Sequence, residues 1–323
     1  YNDFKGEIVP LEGPAIRTKS KLIRSPKSAV VHCGVEEDGS PLGRIKVVSQ
    51  RAGDDCEVTE LHAGEALILD FGQNMVGRPV IFIKAPRGTK ISGYFAEMLN
   101  DSGDPERGND GPRGSMYIKN YRSAMARMVY VASGTENEIY FPTHTFYGFR
   151  YIKFSGVADL TGITDIQAWA MYSDLEQTGE ITTANEKVNR LYLNSVWSQR
   201  DNFLDVPTDC PQRDERMAWL NDVTVRCEEA LYNFDLRLFY EKWLDDIADA
   251  QAPSGSLPDT APHVYCGNPA FHISSCYVLI PWLLYRYYGD RTPMERHFDR
   301  MVRYVRFLAS QRGADGLIGA PYF

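Results

Sequence analysis

The hydrophobic period of this chain changes near residue 175, and that change limits the fold more than any other feature. Before it, short apolar or alternating runs are separated by turn signals such as "APRG" and "SGT". They are "ALILDF" (Ala66–Phe71), "PVIFIKA" (Pro79–Ala85), "TKISGYFAE" (Thr89–Glu97), "ARMVYVAS" (Ala126–Ser133), "NEIYFPT" (Asn137–Thr143) and "FRYIKFSG" (Phe149–Gly156). "GITDIQAWAMYS" (Gly162–Ser173) closes the series. Short strands at this density predict a β-sandwich. Asn100–Gly114, polar and rich in Gly and Asp, reads as a surface loop.

After residue 180 the period is helical. "TANE" (Thr183–Glu186) fits a capping box with Thr183 as N-cap, followed by a stripe of Val188, Leu191, Tyr192, Ser195 and Val196. Further helices are predicted near Val223–Tyr232 and over Leu236–Ala250, the latter with Phe239, Trp243, Leu244 and Ile247 on one face. Ser274–Asp290 is apolar nearly all round and is expected to be buried, with Pro281 marking a first turn or a kink. Arg291–Gly313 is amphipathic and stops at a glycine. Strands followed by helices imply separate domains: a β or linker segment over 1–60, a β domain over 61–175 and a helical domain over 176–323.

Charge and cysteine usage narrow the function classes. The net charge of −8 opposes nucleic acid as a partner, since phosphate binding needs a basic field. No apolar run is long enough to span a bilayer. The six cysteines form no C-x-x-C pair and the six histidines show no H-x-x-x-H spacing, so no metal site is expected and the thiols read as free or half-buried. Because the first residue is Tyr1 rather than Met, the start of the chain does not reveal the compartment. Nothing in the sequence indicates an oligomeric state.

One stretch concentrates chemistry. "DVPTDCPQRDERMAWLND" (Asp205–Asp222) sets Asp205, Asp209, Asp214, Glu215 and Asp222 around Arg213, Arg216 and Trp219. Pro207 and Pro211 make its first half a loop, and a helix begins either near Gln212 or with Asn221 or Asp222 as its N-cap. A solvated salt-bridge patch with Trp219 in the core is one reading. A glycosidase site is the other: one carboxylic acid protonates the leaving oxygen, further carboxylates and an arginine hold hydroxyls, and an indole packs on the sugar face.

The stretch "NEKVNRLYLNSVWSQRDNFLDVPTDCPQRDERMAWLNDV" (Asn185–Val223) resembles the signature of the α-L-rhamnosidases of glycoside hydrolase family 78. "LDFGQNMVGRPVIFIKAPRGTKISGYFAEML" (Leu69–Leu99) and "FYGFRYIKFSG" (Phe146–Gly156) resemble the β-sandwich that precedes the catalytic domain there. "YEKWLDDIADAQAPSGSLPD" (Tyr240–Asp259) and "PWLLYRYYGD" (Pro281–Asp290) resemble its helices. The resemblance implies an inverting enzyme with an (α/α)6-barrel catalytic domain, acting on rhamnose-containing oligosaccharides or glycosides without a cofactor, in a bacterial cytoplasm or periplasm. By motif position it implies that Glu215 is the general acid. Asp209 and Asp222 then hold rhamnose hydroxyls, Arg213 belongs to the same site, and Trp219 packs on the sugar. Asp214 and Arg216 are supporting or surface residues.

Two departures qualify what the resemblance implies. The family's W-G-D-A pattern before the "PWLLY" helix is replaced by "AFHISSCYVLIPW" (Ala270–Trp282), with Ser275 about where the Asp would stand and either His272 or Phe271 as the candidate substitute. The family's general base lies beyond the position of Phe323, so only the first part of the barrel is expected here; within the chain, Asp259 in "GSLPD" is the best-placed acid. A glycosidase for a related sugar, or a non-catalytic carbohydrate-binding protein that keeps the fold, are the alternatives.

Overall fold

The computed structural model describes residues 18–24, 28–33, 45–49, 65–155, 163–264 and 274–318. By contact the chain divides into two compact units. The β unit comprises Thr18–Ser173 and Thr183–Met217; the helical unit comprises Asp174–Thr182 and the chain from Ala218 on.

The β unit is organised on one long strand, β4 (Glu65–Ile83). Two strands with a turn between them were expected here. Instead Gly72 takes φ 73°, in the left-handed region open to glycine, and the strand bends without ending. Asp70 fixes the bend. Its Oδ1 accepts from Gly72 N at 2.7 Å, and its two oxygens take Nε and Nη2 of Arg150 at 2.7 Å each. The first half of β4 lies between β2 (Ser28–Cys33) and β10 (Tyr147–Ser155). The second half lies beside β11 (Ile163–Ser173) and β9 (Glu138–Tyr140). β1 (Thr18–Arg24) adds to β11, and β3 (Ile45–Ser49) adds to β2, so part of the segment 1–60 joins the sheet. On the other side β10 pairs with β5 (Lys90–Ala96), and β5 with β8 (Arg127–Val131). All these pairings are antiparallel.

Strand alternation puts Ile91 and Phe95 of β5, Phe149, Ile152 and Phe154 of β10, and Ile166, Ala168 and Ala170 of β11 into one core with Phe71 and Ile81. Tyr147 stacks on Phe95 with ring centroids 3.8 Å apart. Each such side chain contributes about 1.5–3 kcal/mol by leaving water. The loop after β6 (Met98–Leu99) returns through β7 (Met116–Tyr117). It is held from inside: Asn100 bonds to Asp110 and to Ser115, and Asn109 to Asp101.

Helix α1 (Glu186–Asn202) belongs to the β unit. Its N-cap is Asn185, not Thr183. The Asn185 side chain accepts from Lys187 N and Val188 N, whereas Glu186 is already the first helical residue and cannot close a capping box. Thr183 Oγ1 instead receives Asn185 N and bonds to Asn189. The expected stripe on α1 is only partly buried. Val196 is in the core, but Val188 and Leu191 are exposed, Leu191 by 66%. What anchors the helix lies nearer its end: Trp197 packs on the sheet core, Arg200 covers the rings of Tyr172 and Trp197, and Asp201 Oδ1 accepts from Val76 N at 3.0 Å. Burial pushes the Asp201 carboxyl up to about 8, with the charge of Glu97 adding to the effect.

The helical unit contains α2 (Leu220–Leu231), α3 (Arg237–Ala250), α4 (Cys276–Tyr288) and α5 (Thr292–Ser310). Phe239, Trp243, Leu244 and Ile247 of α3 are buried together with Leu220, Val223, Ile280, Leu283 and Leu284. α4 runs through Pro281 and is not buried all round: Trp282, Tyr285, Tyr287 and Tyr288 stay over one-third exposed. Their polar ends account for this. Tyr287 Oη donates to Glu228, Tyr288 Oη accepts from Leu236 N, and Arg286 lies over the Trp282 ring. Among the described residues no helix is long and apolar enough to cross a membrane, and Cys210, Cys227 and Cys276 carry free thiols.

Candidate active site

The acidic motif begins with a two-residue ladder, β12 (Phe203–Leu204) against β13 (Val206–Pro207), turned at Asp205 with φ 67°. Asp205 is therefore a turn residue. Asp209 N then donates to Met217 O at 2.7 Å and closes a loop from 209 to 217. Inside that loop Cys210 and Arg216 both have positive φ, 41° and 46°. Such conformations cost about 1–3 kcal/mol each, and they persist only where surrounding contacts fix them.

Those contacts come from distant parts of the β unit. Arg216 donates through Nε to Pro211 O and through Nη2 to Phe146 O, and its guanidinium lies 4.2 Å from the Phe146 ring centre. It is a structural clamp, not a surface charge. Asp214 is exposed but accepts from Ser123 Oγ. Gly148 on β10 lets Gln212 lie flat on the strand: a Cβ there would stand 2.5 Å from Gln212 Cβ.

The loop brings Asp209, Arg213 and Glu215 together. Arg213 Nε and Nη2 reach Glu215 Oε2 at 2.6 and 2.5 Å, with the two side chains only 20% and 18% exposed. Arg122, itself at φ 56°, stands 3.7 Å from the same oxygen. Cys210 Sγ donates to Asp209 Oδ1 at 3.2 Å. Burial raises the Glu215 carboxyl, but the bond and charge of Arg213, with bonds to Asp209 and Cys210, outweigh it and hold Glu215 below the usual carboxylate range. Burial and Asp209 push the Cys210 thiol up to about 12, so it stays protonated and is neither a nucleophile nor a ready metal ligand. Asp209, Cys210 and Glu215 each offer an atom within 4.8 Å of the others, a set that could face a cation, but Arg213 already occupies the Glu215 oxygen.

Beside the motif, Glu97 at the end of β5 accepts from Asn74 Nδ2 at 3.0 Å and Asn120 Nδ2 at 2.6 Å. Burial raises its carboxyl, opposed by those bonds and by the charge of Arg213. Glu97, Arg122, Ser123 and Phe146 were not foreseen as neighbours of the motif. Nothing local in their sequence marks them.

The remaining candidates lie in the helical unit. Trp219 occupies the N-cap position of α2 with extended backbone and no side-chain cap bond. Neither Asn221 nor Asp222 caps this helix, and it does not reach back to Gln212. The first N–H, of Leu220, donates instead to Asp259 O at 2.9 Å, and Trp219 bridges to Thr260. The indole Nε1 of Trp219 is buried with no partner among the described residues. Asp222 sits in the first turn, where the helix dipole favours a carboxylate. Ser275 precedes α4 and its carbonyl accepts from Val278 N and Leu279 N. Phe271 and His272 lie outside the described residues.

Comparison with known proteins places the chain in a family. A model of the bacterial alpha-L-rhamnosidase 6 hairpin glycosidase domain matches residues 176–320. A model of the bacterial alpha-L-rhamnosidase concanavalin-like domain matches residues 60–172. An alpha-L-rhamnosidase of Streptomyces avermitilis is 36% identical over 263 residues, covering 81% of this chain and 24% of that protein. The structure of an alpha-L-rhamnosidase from Dictyoglumus thermophilum superposes with a TM-score of 0.75 at 30% identity, over 92% of this chain and 29% of that one. A Streptomyces avermitilis alpha-L-rhamnosidase complexed with L-rhamnose gives 0.67 at 35% identity, over 77% and 23%. The chain thus spans about a quarter of the length of these relatives. From residue 60 to residue 320 it carries a concanavalin-like β domain followed by a six-hairpin glycosidase segment, and it belongs to the bacterial alpha-L-rhamnosidase family.

Proposed function

We propose that this chain supplies the acid side of an inverting glycoside hydrolase that removes terminal α-L-rhamnose from glycans or glycosides. The observation that carries the reading is the convergence of Asp209, Arg213 and Glu215 in a loop that holds two strained residues in place. Glu215 is the general acid, and Asp209, Arg213 and Asp222 hold sugar hydroxyls. Trp219 packs on the sugar, and its indole N–H, which has no partner among the described residues, donates to a hydroxyl.

Glu215 must carry a proton to act. Without sugar, Arg213 keeps it ionised. A bound sugar draws Arg213 toward its hydroxyls and excludes water, and both changes favour the protonated acid. Asp209 cannot be the base, because its oxygen is within 4.8 Å of Glu215 and an inverting pair needs roughly 6.5–9.5 Å for the intervening water. The base belongs to a region of the protein other than these residues, after Phe323, in keeping with the quarter of the relatives' length spanned here. By the same reading, α2 to α5 are the first helices of an (α/α)6 barrel. The β domain is then a sandwich, supported by the two sets of neighbours along β4. Ser275 at the position of the family's acid weakens one hydroxyl contact, which favours modest rhamnose affinity or a related sugar.

The test is hydrolysis of an aryl α-L-rhamnoside by the intact protein, followed by NMR of the first sugar released. β-L-rhamnose appearing before its anomer supports the reading. The α-anomer first excludes inversion, and binding of rhamnose without release of the aryl group favours a carbohydrate-binding role.

A further inference from the structure

The proposed reaction gives no part to Glu97, a half-buried residue directly after β5. Its carboxylate is nonetheless tied to both cations that stand against Glu215. Oε2 of Glu97 accepts from Asn120 Nδ2 at 2.6 Å. Asn120 lies in the short turn Lys119–Tyr121, and the residue after that turn is Arg122, 3.7 Å from Glu215 Oε2. The Gln212 amide faces the same carboxylate, and the residue after it is Arg213, which bonds to Glu215. Oε1 of Glu97 accepts from Asn74 Nδ2 at 3.0 Å, which fastens the group to β4 just beyond its bend. All these residues belong to the β unit. One carboxylate thus underlies the seats of Arg122 and Arg213 alike.

Its charge matters as much as its bonds. Burial raises the Glu97 carboxyl, but amide donors on both oxygens and the charge of Arg213 favour the ionised form. Two other titratable groups face it among the described residues, Asp201 at the end of α1 and Tyr121 in the turn. Burial pushes the Asp201 carboxyl up to about 8 and holds the Tyr121 phenol well above its ordinary range, so below pH 8 the negative charge of the group is that of Glu97. Arg213 therefore faces two carboxylates, Glu97 and Glu215. The negative potential of the first cancels part of the guanidinium's positive potential at the second.

We propose that Glu97 is a positioning residue for the general acid: it holds the segments that carry Arg122 and Arg213, and through Arg213 its charge leaves Glu215 able to take up a proton. The inference rests on the reading of Glu215 as the acid.

The test uses the intact protein, with pH profiles of kcat/KM on a natural rhamnoside and circular dichroism as a check on folding. Glu97→Gln keeps the length and one acceptor but removes the charge. Its alkaline limb should move to lower pH by roughly half a unit to one unit, the sense opposite to loss of the Arg213 charge. Glu97→Asp restores the charge and should return the limb to its wild-type place, whatever its turnover. In an Arg213→Gln background the shift caused by Glu97→Gln should shrink to less than about half. A merely structural role leaves the limb in place in every variant and makes Gln, the closer fit in length, the milder change. An unmoved limb in Glu97→Gln, an equal shift in Glu97→Asp, or an undiminished shift in the Arg213→Gln background overturns the inference. If Glu97→Gln does not fold, Glu97→Met, neutral and of similar length, takes its place; failure of both to fold would make Glu97 a residue of the fold alone and also overturn it. Full turnover of the natural rhamnoside by Glu215→Gln removes the acid reading and this inference with it. A disabled Glu215→Gln beside an unmoved limb in Glu97→Gln removes this inference only.

Discussion

Arg213 gives two donors to a single oxygen of Glu215, and the consequence is a testable pH profile. A general acid works only while protonated, so activity falls as pH rises through its pKa. In the free protein that pKa lies below the usual carboxylate range; under the proposed reading sugar binding turns Arg213 away, and the pKa then rises. The alkaline limb of kcat/KM, which reports the free protein, should therefore lie at lower pH than the limb of kcat. Arg213→Gln should move the kcat/KM limb toward higher pH while weakening substrate binding by roughly 1.5–3 kcal/mol, the loss of a bond to a charged group. pH–rate profiles of both proteins decide this. A limb that stays in place would mean that Arg213 does not set the charge of Glu215. Asp209, Arg213 and Glu215 were legible because they are close in sequence and their types imply their chemistry. Arg122, Ser123, Glu97 and Phe146 were not, because they reach the motif only through strand pairing and packing across the β unit.

Two elements hold the acid loop and its helix, and each can be loosened. Gly148→Ala on β10 would push its methyl into Gln212, which must shift or be strained. Overpacking of this kind costs about 1–3 kcal/mol. The loop should move before the sheet does, so activity should fall at least tenfold with a much smaller loss of melting temperature; a variant with wild-type kinetics would mean that the loop is not seated on β10. Asp201, at the end of α1, works in the opposite sense. Its folded-state pKa near 8 lies above the ordinary carboxylate value, so the folded protein binds that proton more tightly than the unfolded chain. Its contribution is complete below about pH 4 and is lost as pH rises toward 8. Asp201→Asn keeps an acceptor for Val76 N and removes the titration. It should stabilise the protein at pH 8 by roughly 2–4 kcal/mol and change little at pH 4, as measured by denaturant unfolding at both values. Equal effects at the two pH values would contradict the burial of this carboxyl. At this scale the sequence misled where one residue type serves two structures. The runs Ala66–Phe71 and Pro79–Ala85 read as two strands but belong to one long strand that bends at Gly72, and Thr183 reads as a cap but supports the true cap, Asn185.

Across the whole molecule, the change of hydrophobic period near residue 175 correctly separates strands from helices, because alternation and 3.6-residue spacing are local properties of the chain. It does not separate the compact units. Thr183–Met217, helical and then acidic, packs with the strands through Trp197, Arg200, Asp201 and Arg216, all within the β unit, and side-chain contacts between elements distant in sequence leave no period to read. The acid loop is thus a product of the β unit's packing as much as of its own sequence. Its role is tested most directly by Glu215→Gln in the intact protein, assayed on a natural rhamnoside and on a nitrophenyl α-L-rhamnoside, with circular dichroism as a check on folding. The expected result is a folded protein whose turnover of the natural rhamnoside falls by roughly 10²–10⁴-fold, with a smaller loss on the nitrophenyl substrate, whose leaving group needs little protonation. Near wild-type turnover of the natural rhamnoside, or equal losses on the two substrates, would contradict Glu215 as the general acid.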